Sequence, residues 1–213
     1  MSPRSYGQYC AVARSLDLIG DRWSLLVVRE LLDGPQRYGE LLSALAPIAT
    51  DVLAGRLRYL EEHGVVHRPS RGRPAARVAY ELTDRGRDLQ DVVDALARWG
   101  RPLLTIRHPG DVVRPRWWVR AVRAHLRPDR GGPTLVVRFE AADATSVTLR
   151  ITADDVQTLT ADAPADVVIA GEIESLAASL DPYRVSDLTA GGQVRVEGSA
   201  SAVRRLSAMW RRD

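Results

Sequence analysis

The sequence predicts an α+β chain in two parts. An amino-terminal helical part is closed by one β-hairpin, and a carboxyl-terminal part is built on a five-stranded, mainly antiparallel sheet. Three observations predict this. Apolar residues recur at helical spacing through roughly the first hundred positions. The helical pattern breaks at SRGRPAARVAYELT, where Val78, Tyr80 and Leu82 alternate with Ala79, Glu81 and Thr83. From Leu135 onward the period shortens to two, in LVVRF, VTLRI, VQTLT, VVIAG and VRVEG, separated by turn-length segments.

Taken in order, residues 9–19 place Cys10, Val12, Ala13, Leu16 and Ile19 on one helical face, and Gly20 ends the pattern. Asp21 is placed to cap a second helix, DRWSLLVVRELL, stopped by Gly34-Pro35. A short third helix covers 38–45, with Leu41, Leu42 and Leu45 inward, and Pro47 breaks it. A fourth runs from Thr50 to His63 with Leu53, Leu57 and Leu60 on one face, and Gly64 stands where a C-cap glycine belongs. Val65-Val66 opens a strand that Val78–Leu82 answers, and a fifth helix is expected from Thr83 to Trp99, with Leu89, Val92, Val93, Leu96 and Trp99 inward. The chain is expected to divide into residues 1–105 and 106–213. In the second part a helix at about 113–127 precedes the five strands. Another covers Glu172–Leu180, and a last one is capped by Ser199 and ends near Trp210.

Two short helices followed by a hairpin with a basic tip form a helix-turn-helix with a wing. A domain of that kind presents its second helix to the major groove of double-stranded DNA. The hairpin then explains Arg71, Arg73 and Arg77: guanidinium groups on a loop tip suit phosphate or a narrow minor groove, while the strand behind them anchors the wing. A solvated charged loop is the plainer reading of the same residues. On the fourth helix, 100° per residue places Asp51, Gly55, Arg58 and Glu62 opposite the leucines. Thr50 and Asp51 occupy the helix start, which contacts base edges in such domains. Gly55 would permit close approach to DNA, and Arg56 and Arg37 could reach phosphate. Asp51 has two readings, an acceptor for a cytosine amino group or a charge matched to the helix dipole. Arg37 could equally pair with Glu40.

Composition narrows the function classes. Thirty arginines and no lysine leave a formal net charge of only +3, so the placement of arginine carries more information than its abundance. No apolar run approaches the roughly 18 residues of a membrane span, and the first residues lack the apolar core of a signal peptide, so a cytoplasmic protein with no membrane partner is expected. Catalytic and nucleotide-binding motifs are absent. His63 and His67 are separated by Gly64 and do not form a metal pair, so neither an enzyme nor a metal or other cofactor is expected.

In order along the chain stand Cys10, LDLIGDRWSLLVVRELLDGPQRYGELL, VLAGRLRYLEEHGVV, VAYELTDRGRDL and Trp99-Gly100. Over residues 8–100 this resembles the HxlR-type winged-helix transcriptional regulators of bacteria. The resemblance implies a homodimer on a near-palindromic operator, control of genes that are often neighbouring, and response to small molecules or oxidants. It also implies that Cys10 occupies the position of an N-terminal sensing cysteine. A small buried hydrophobe is the alternative for Cys10. The sequence departs from the family at Ala49, where serine is usual, and at Asp51, where a basic residue is common.

The second part is more faintly similar to sterol-carrier-protein-like domains, on its strand pattern and on VRVEGSASAVRRLSAMW. That similarity implies an apolar tunnel for lipid-like ligands, which would make the second part the receiver of an apolar small-molecule effector. Its lining candidates are Trp117, Trp118, Leu135, Val137, Leu149, Ile151, Ile169, Leu176, Leu180, Leu188 and Met209, each of which could instead be plain core. The function expected is a homodimeric DNA-binding regulator, a repressor, modulated by an apolar ligand. The alternative is a lipid or small-molecule carrier whose winged helix serves in dimerisation.

Overall fold

A computed structural model of the chain describes residues 5–69, 79–143, 145–181 and 183–211. It divides into two compact units, Met1–Val93 and Asp94–Asp213. The tip arginines Arg71, Arg73 and Arg77 lie outside the described residues.

The first unit is built from α1 (Ala11–Ile19), α2 (Ser24–Leu31), β1 (Gln36–Arg37), α3 (Tyr38–Ala44), α4 (Thr50–Glu62), β2 (Val66–His67), β3 (Ala79–Leu82) and α5 (Asp84–Arg87). The order is the one expected, with β1 added. Two residues are too short for a period to show, and β1 exists because Gln36 and Arg37 pair with Tyr80 and Ala79, giving a small sheet of order β1-β3-β2. Val27, Val28 and Leu31 from α2, Leu41 and Leu45 from α3, and Leu53, Leu57 and Leu60 from α4 make its core with Val65, Val66 and Leu82. Truncating any of these leucines to alanine costs about 2–5 kcal/mol.

Helix α4 ends as its sequence requires. Gly64 takes φ +66°, its N–H bonds Glu61 O at 3.0 Å, and the Val65 N–H bonds Leu60 O at 2.9 Å. This pair of bonds is the Schellman closure, and it turns the chain directly into β2.

Four expectations are corrected. Asp21 does not cap α2; its carboxylate accepts the Trp23 N–H at 2.9 Å in a turn ahead of the helix, and Trp23 is the cap residue without a side-chain bond. The fifth helix is two helices, α5 and α6 (Gln90–Gly100). Thr83 caps α5 by accepting the Gly86 N–H at 3.0 Å, and Gly86 lies so close to Val65 O that a Cβ there would collide with it. One turn is thus seated on the base of the wing before the helix restarts. The face of α6 expected to be inward is largely open, with Val92 and Leu96 exposed and Trp99 75% exposed. On α1, likewise, only Ala13 and Ile19 are buried, whereas Cys10, Val12 and Leu16 are exposed.

In the second unit a 3-10 turn (Arg101–Thr105) leads to α7 (Pro115–His125). Strands β4 (Leu135–Ala141), β5 (Ser146–Ile151), β6 (Val156–Leu159), β7 (Val167–Gly171) and β8 (Val194–Gly198) follow, with α8 (Ile173–Ala178) and α9 (Val185–Ala190) between the last two, and α10 (Ala200–Met209) closes it. The order across the sheet is β6-β5-β4-β7-β8. All pairs are antiparallel except β4 with β7, where Val137 faces Val167 and Phe139 faces Ile169 in parallel. The sheet is therefore mixed. Helix α9 was not legible, because VSDLTA is too short to show a period. Burial alternates along β4, with Leu135, Val137, Phe139 and Ala141 inward. These pack with Val122 of α7, Leu176 of α8, Leu188 of α9, and Leu206 and Met209 of α10. Ser199 caps α10 as expected, accepting the Ala202 N–H at 3.2 Å.

Candidate nucleic-acid interface

Helix α4 is divided lengthwise. Leu53, Leu57 and Leu60 are essentially inaccessible, while Asp51, Val52 and Arg58 are exposed and Gly55 is half-buried. A Cβ built on Gly55 would meet nothing within 4 Å, so this part of the face stands open. The helix has no side-chain cap. Ala49 is the N-cap residue, and Thr50 and Asp51 stand exposed in the first turn. Its start is held by its neighbour instead, through the Tyr38 hydroxyl, which donates to Thr50 O at 2.6 Å. That bond links the beginnings of α3 and α4. A uniform helical wheel gave the open face; the tyrosine tether had no sequence signal.

Arg37 joins two features. Its backbone pairs with Ala79 of the wing strand, and its N–H donates to Glu40 at 2.6 Å. Glu40 thus binds the Arg37 main chain, and the exposed Arg37 side chain stands between the helix pair and the wing base. Arg68 was missed by the sequence reading. It is exposed just beyond β2, its guanidinium 5.7 Å from the Tyr80 ring centroid. The stretch VVHRPSRGR held the signal, since Arg68 begins the basic run that leads to the tip. Arg56 is engaged within the fold. Its guanidinium pairs with Asp21 at 2.7 Å and lies 5.3 Å from the Tyr59 ring, fastening α4 to the turn before α2.

Cys10 is exposed in the single chain and immediately precedes α1. The backbone N–H groups of Ala13 and Val12 at the helix start hold its thiol below the ordinary value.

In the second unit the tunnel expected from sequence is not open. Leu135, Val137, Leu149, Ile151, Ile169, Leu176, Leu180, Leu188 and Met209 pack against one another in a closed core, with Trp118 half-buried against it and Trp117 half-buried beside Arg114. A shallow cleft with an interior of only about 10 Å³ lies at the start of α7. Trp118 and Leu176 are the expected residues that reach it. Among the described residues no cluster of three metal-ligating side chains occurs, and no helix is long and apolar enough to cross a membrane.

A compact three-helix core, a helix-turn-helix and a strand pair define a winged-helix DNA-binding unit. The chain matches the HxlR-like helix-turn-helix family model over residues 18–107. It is 43% identical over 94 residues to the uncharacterised HTH-type transcriptional regulator sll1512 of Synechocystis, covering 44% of this chain and 70% of that one. It is 33% identical over 99 residues to the HTH-type transcriptional regulator YodB of Bacillus subtilis, covering 46% of this chain and 86% of that one. Among solved structures, the reduced form of YodB aligns with a TM-score of 0.39 at 32% identity, over 49% of this chain and 100% of that one. The chain therefore belongs to the HxlR-like helix-turn-helix family of transcriptional regulators. It is a DNA-binding regulator.

Proposed function

We propose that the protein acts as a homodimeric repressor, with residues 1–105 reading a near-palindromic operator and residues 106–213 receiving a small molecule that alters DNA affinity. The observation that carries the DNA reading is the division of α4, three leucines locked in the core and the opposite face open around Gly55 and Arg58. Thr50, Asp51 and Gly55 meet base edges in this reading, Arg37, Arg58 and Arg68 meet phosphate, and Arg71, Arg73 and Arg77 extend the contact from the wing. Arg56 serves the fold through Asp21. Dimerisation is supported by the uncovered apolar side chains of α1 and α6, Val12, Leu16, Val92, Leu96 and Trp99, which together are more than a monomer needs to expose.

Selection of bound duplexes from a random library tests this. The expected result is a near-palindrome with half-sites about one helical turn, roughly 34–36 Å, apart. On that duplex Arg58→Ala and Arg73→Ala should each weaken binding and lower the slope of log affinity against log salt by about 1. Enrichment of no sequence, or salt slopes that ignore both arginines, would overturn the reading. A second signal is supported by the exposure and lowered pKa of Cys10, which suit an oxidant-sensitive thiol.

A further inference from the structure

A second cleft, within the second unit, lies between the 3-10 turn (Arg101–Thr105), α8 and the segment leading into α9, with an interior of about 110 Å³. Four charged side chains line it, Arg101, Glu174, Asp181 and Arg184, and two of them are already spoken for. Arg101 Nη2 donates to Asp181 Oδ2 at 2.8 Å, and Asp181 Oδ1 accepts the Tyr183 N–H at 3.0 Å. The other two are opposite in sign. The half-buried Glu174 carboxylate and the exposed Arg184 guanidinium are paired neither with each other nor with any other described residue. The rest of the wall is apolar, from Pro102, Leu104 and Ala178, and Leu104 is left 56% exposed. Size and charge together select a ligand. A cavity of about 150 Å³ holds a benzene-sized body, so an interior of about 110 Å³ takes a short aliphatic side chain and excludes a lipid or sterol. A simple anion would be drawn to Arg184 and repelled by Glu174, and a simple cation the reverse. A small molecule carrying both charges satisfies both groups.

We propose that this cleft binds a free α-amino acid with a short branched aliphatic side chain. Its ammonium meets Glu174, its carboxylate is received by the fork of Arg184, and its side chain lies against Pro102, Leu104 and Ala178. The Arg101–Asp181 pair is neutral as a unit and holds the 3-10 turn against the end of α8, which sets the width of the cleft. This deepens the proposed effector reading, on which its regulatory meaning rests. It moves the site away from the core residues expected to line a tunnel, none of which reaches this cleft, and replaces a wholly apolar ligand with a zwitterionic one.

The test is equilibrium dialysis of the full-length protein against radiolabelled leucine. The competitors are isocaproate, which lacks the ammonium, isoamylamine, which lacks the carboxylate, and glycine, which lacks the side chain. The expected result is saturable binding of leucine, with each competitor at least about tenfold weaker than unlabelled leucine. Glu174→Gln and Arg184→Gln should each weaken leucine by about the same factor, while Glu174→Gln should bind isocaproate at least as well as the parent does. An unchanged denaturant midpoint shows the variants folded, and the competition series on the parent protein needs neither of them. Absence of saturable leucine binding overturns the site. So does isocaproate or isoamylamine competing as well as leucine, or a folded variant that binds leucine like the parent. Glycine competing as well as leucine overturns the assigned side-chain class. Repeating the DNA titration with leucine present separates the two readings. Binding at the cleft with no change in operator affinity sinks the effector reading and leaves the site, whereas no binding sinks the site and leaves DNA recognition as it stands.

Discussion

Cys10 shows how position alone prepares a side chain. It is the lone cysteine of the chain, it lies in solvent, and the free N–H groups of Ala13 and Val12 favour its thiolate. Its reaction with a disulfide reagent should therefore have a pH midpoint below that of a peptide cysteine, which lies near 8.5. At neutral pH a larger fraction is reactive. A midpoint at or above the peptide value would remove the basis for thiol sensing. The residue scale also shows what sequence could and could not assign. Leu53, Leu57 and Leu60 were read inward, and Gly55 and Arg58 outward, from spacing alone, and the structure places them so. Arg56 was not legible, because its partner Asp21 lies far away in sequence and no local pattern announces the pair.

At the scale of elements, the helices divide by what covers them. Helix α4 is amphipathic and its apolar face is filled. Helix α6 is more strongly amphipathic, yet Leu96 and Trp99 stand in solvent. A sequence periodicity identifies an apolar face but not its occupant, which is why these residues were expected inward within the chain. If a second copy covers them, Leu96→Asp places a charge in the interface. Sedimentation at micromolar concentration should then shift from dimer to monomer, and operator affinity should fall because each monomer engages one half-site. A variant that stays dimeric would assign the dimer to another surface. The break between α5 and α6 belongs to this scale as well. Gly86 needs contact with the Val65 carbonyl, so Gly86→Ala should lower stability by more than the few tenths of a kcal/mol of an ordinary surface change, read as an earlier denaturant midpoint.

Over the whole molecule, the second unit carries an acid-sensitive point. His125 is buried, 5% exposed, with its Nδ1 against Ala121 O at 2.7 Å and its Nε2 without a partner among the described residues. Burial pushes its pKa below the ordinary value. The Ala121 carbonyl opposes that, Arg101 and Arg98 add to it, and Asp181 opposes it. The fold thus favours the neutral ring. Above about pH 6.5 the ring is neutral in both folded and unfolded chains, and its contribution does not vary. As pH falls below that value the unfolded chain takes up a proton that the fold resists, and stability declines. His125→Gln should flatten this decline in a series of denaturant titrations from about pH 7 to 5; an unchanged slope would assign the acid sensitivity elsewhere. The division of the fold into helices first and sheet second was legible in periodicity. The partner of each strand was not: five similar apolar runs permit many orders, and the parallel pairing of β4 with β7 is decided by three-dimensional packing.

That parallel pair has a consequence in time. Strands β4, β5 and β6 are neighbours in sequence and in space, so they can assemble as soon as they leave the ribosome. Strand β7 must then return to the far side of β4, and β8 can add only to β7. Closure comes last, when Leu126 at the end of α7 bridges Trp210 and the Arg127 N–H reaches Met209 O at 2.8 Å. The first unit, emerging earlier as a compact unit of its own, is free to fold while the second is still being made. During synthesis the reading head can therefore exist before its companion unit is complete, and an interrupted chain would carry DNA-binding surface without the part proposed to govern it.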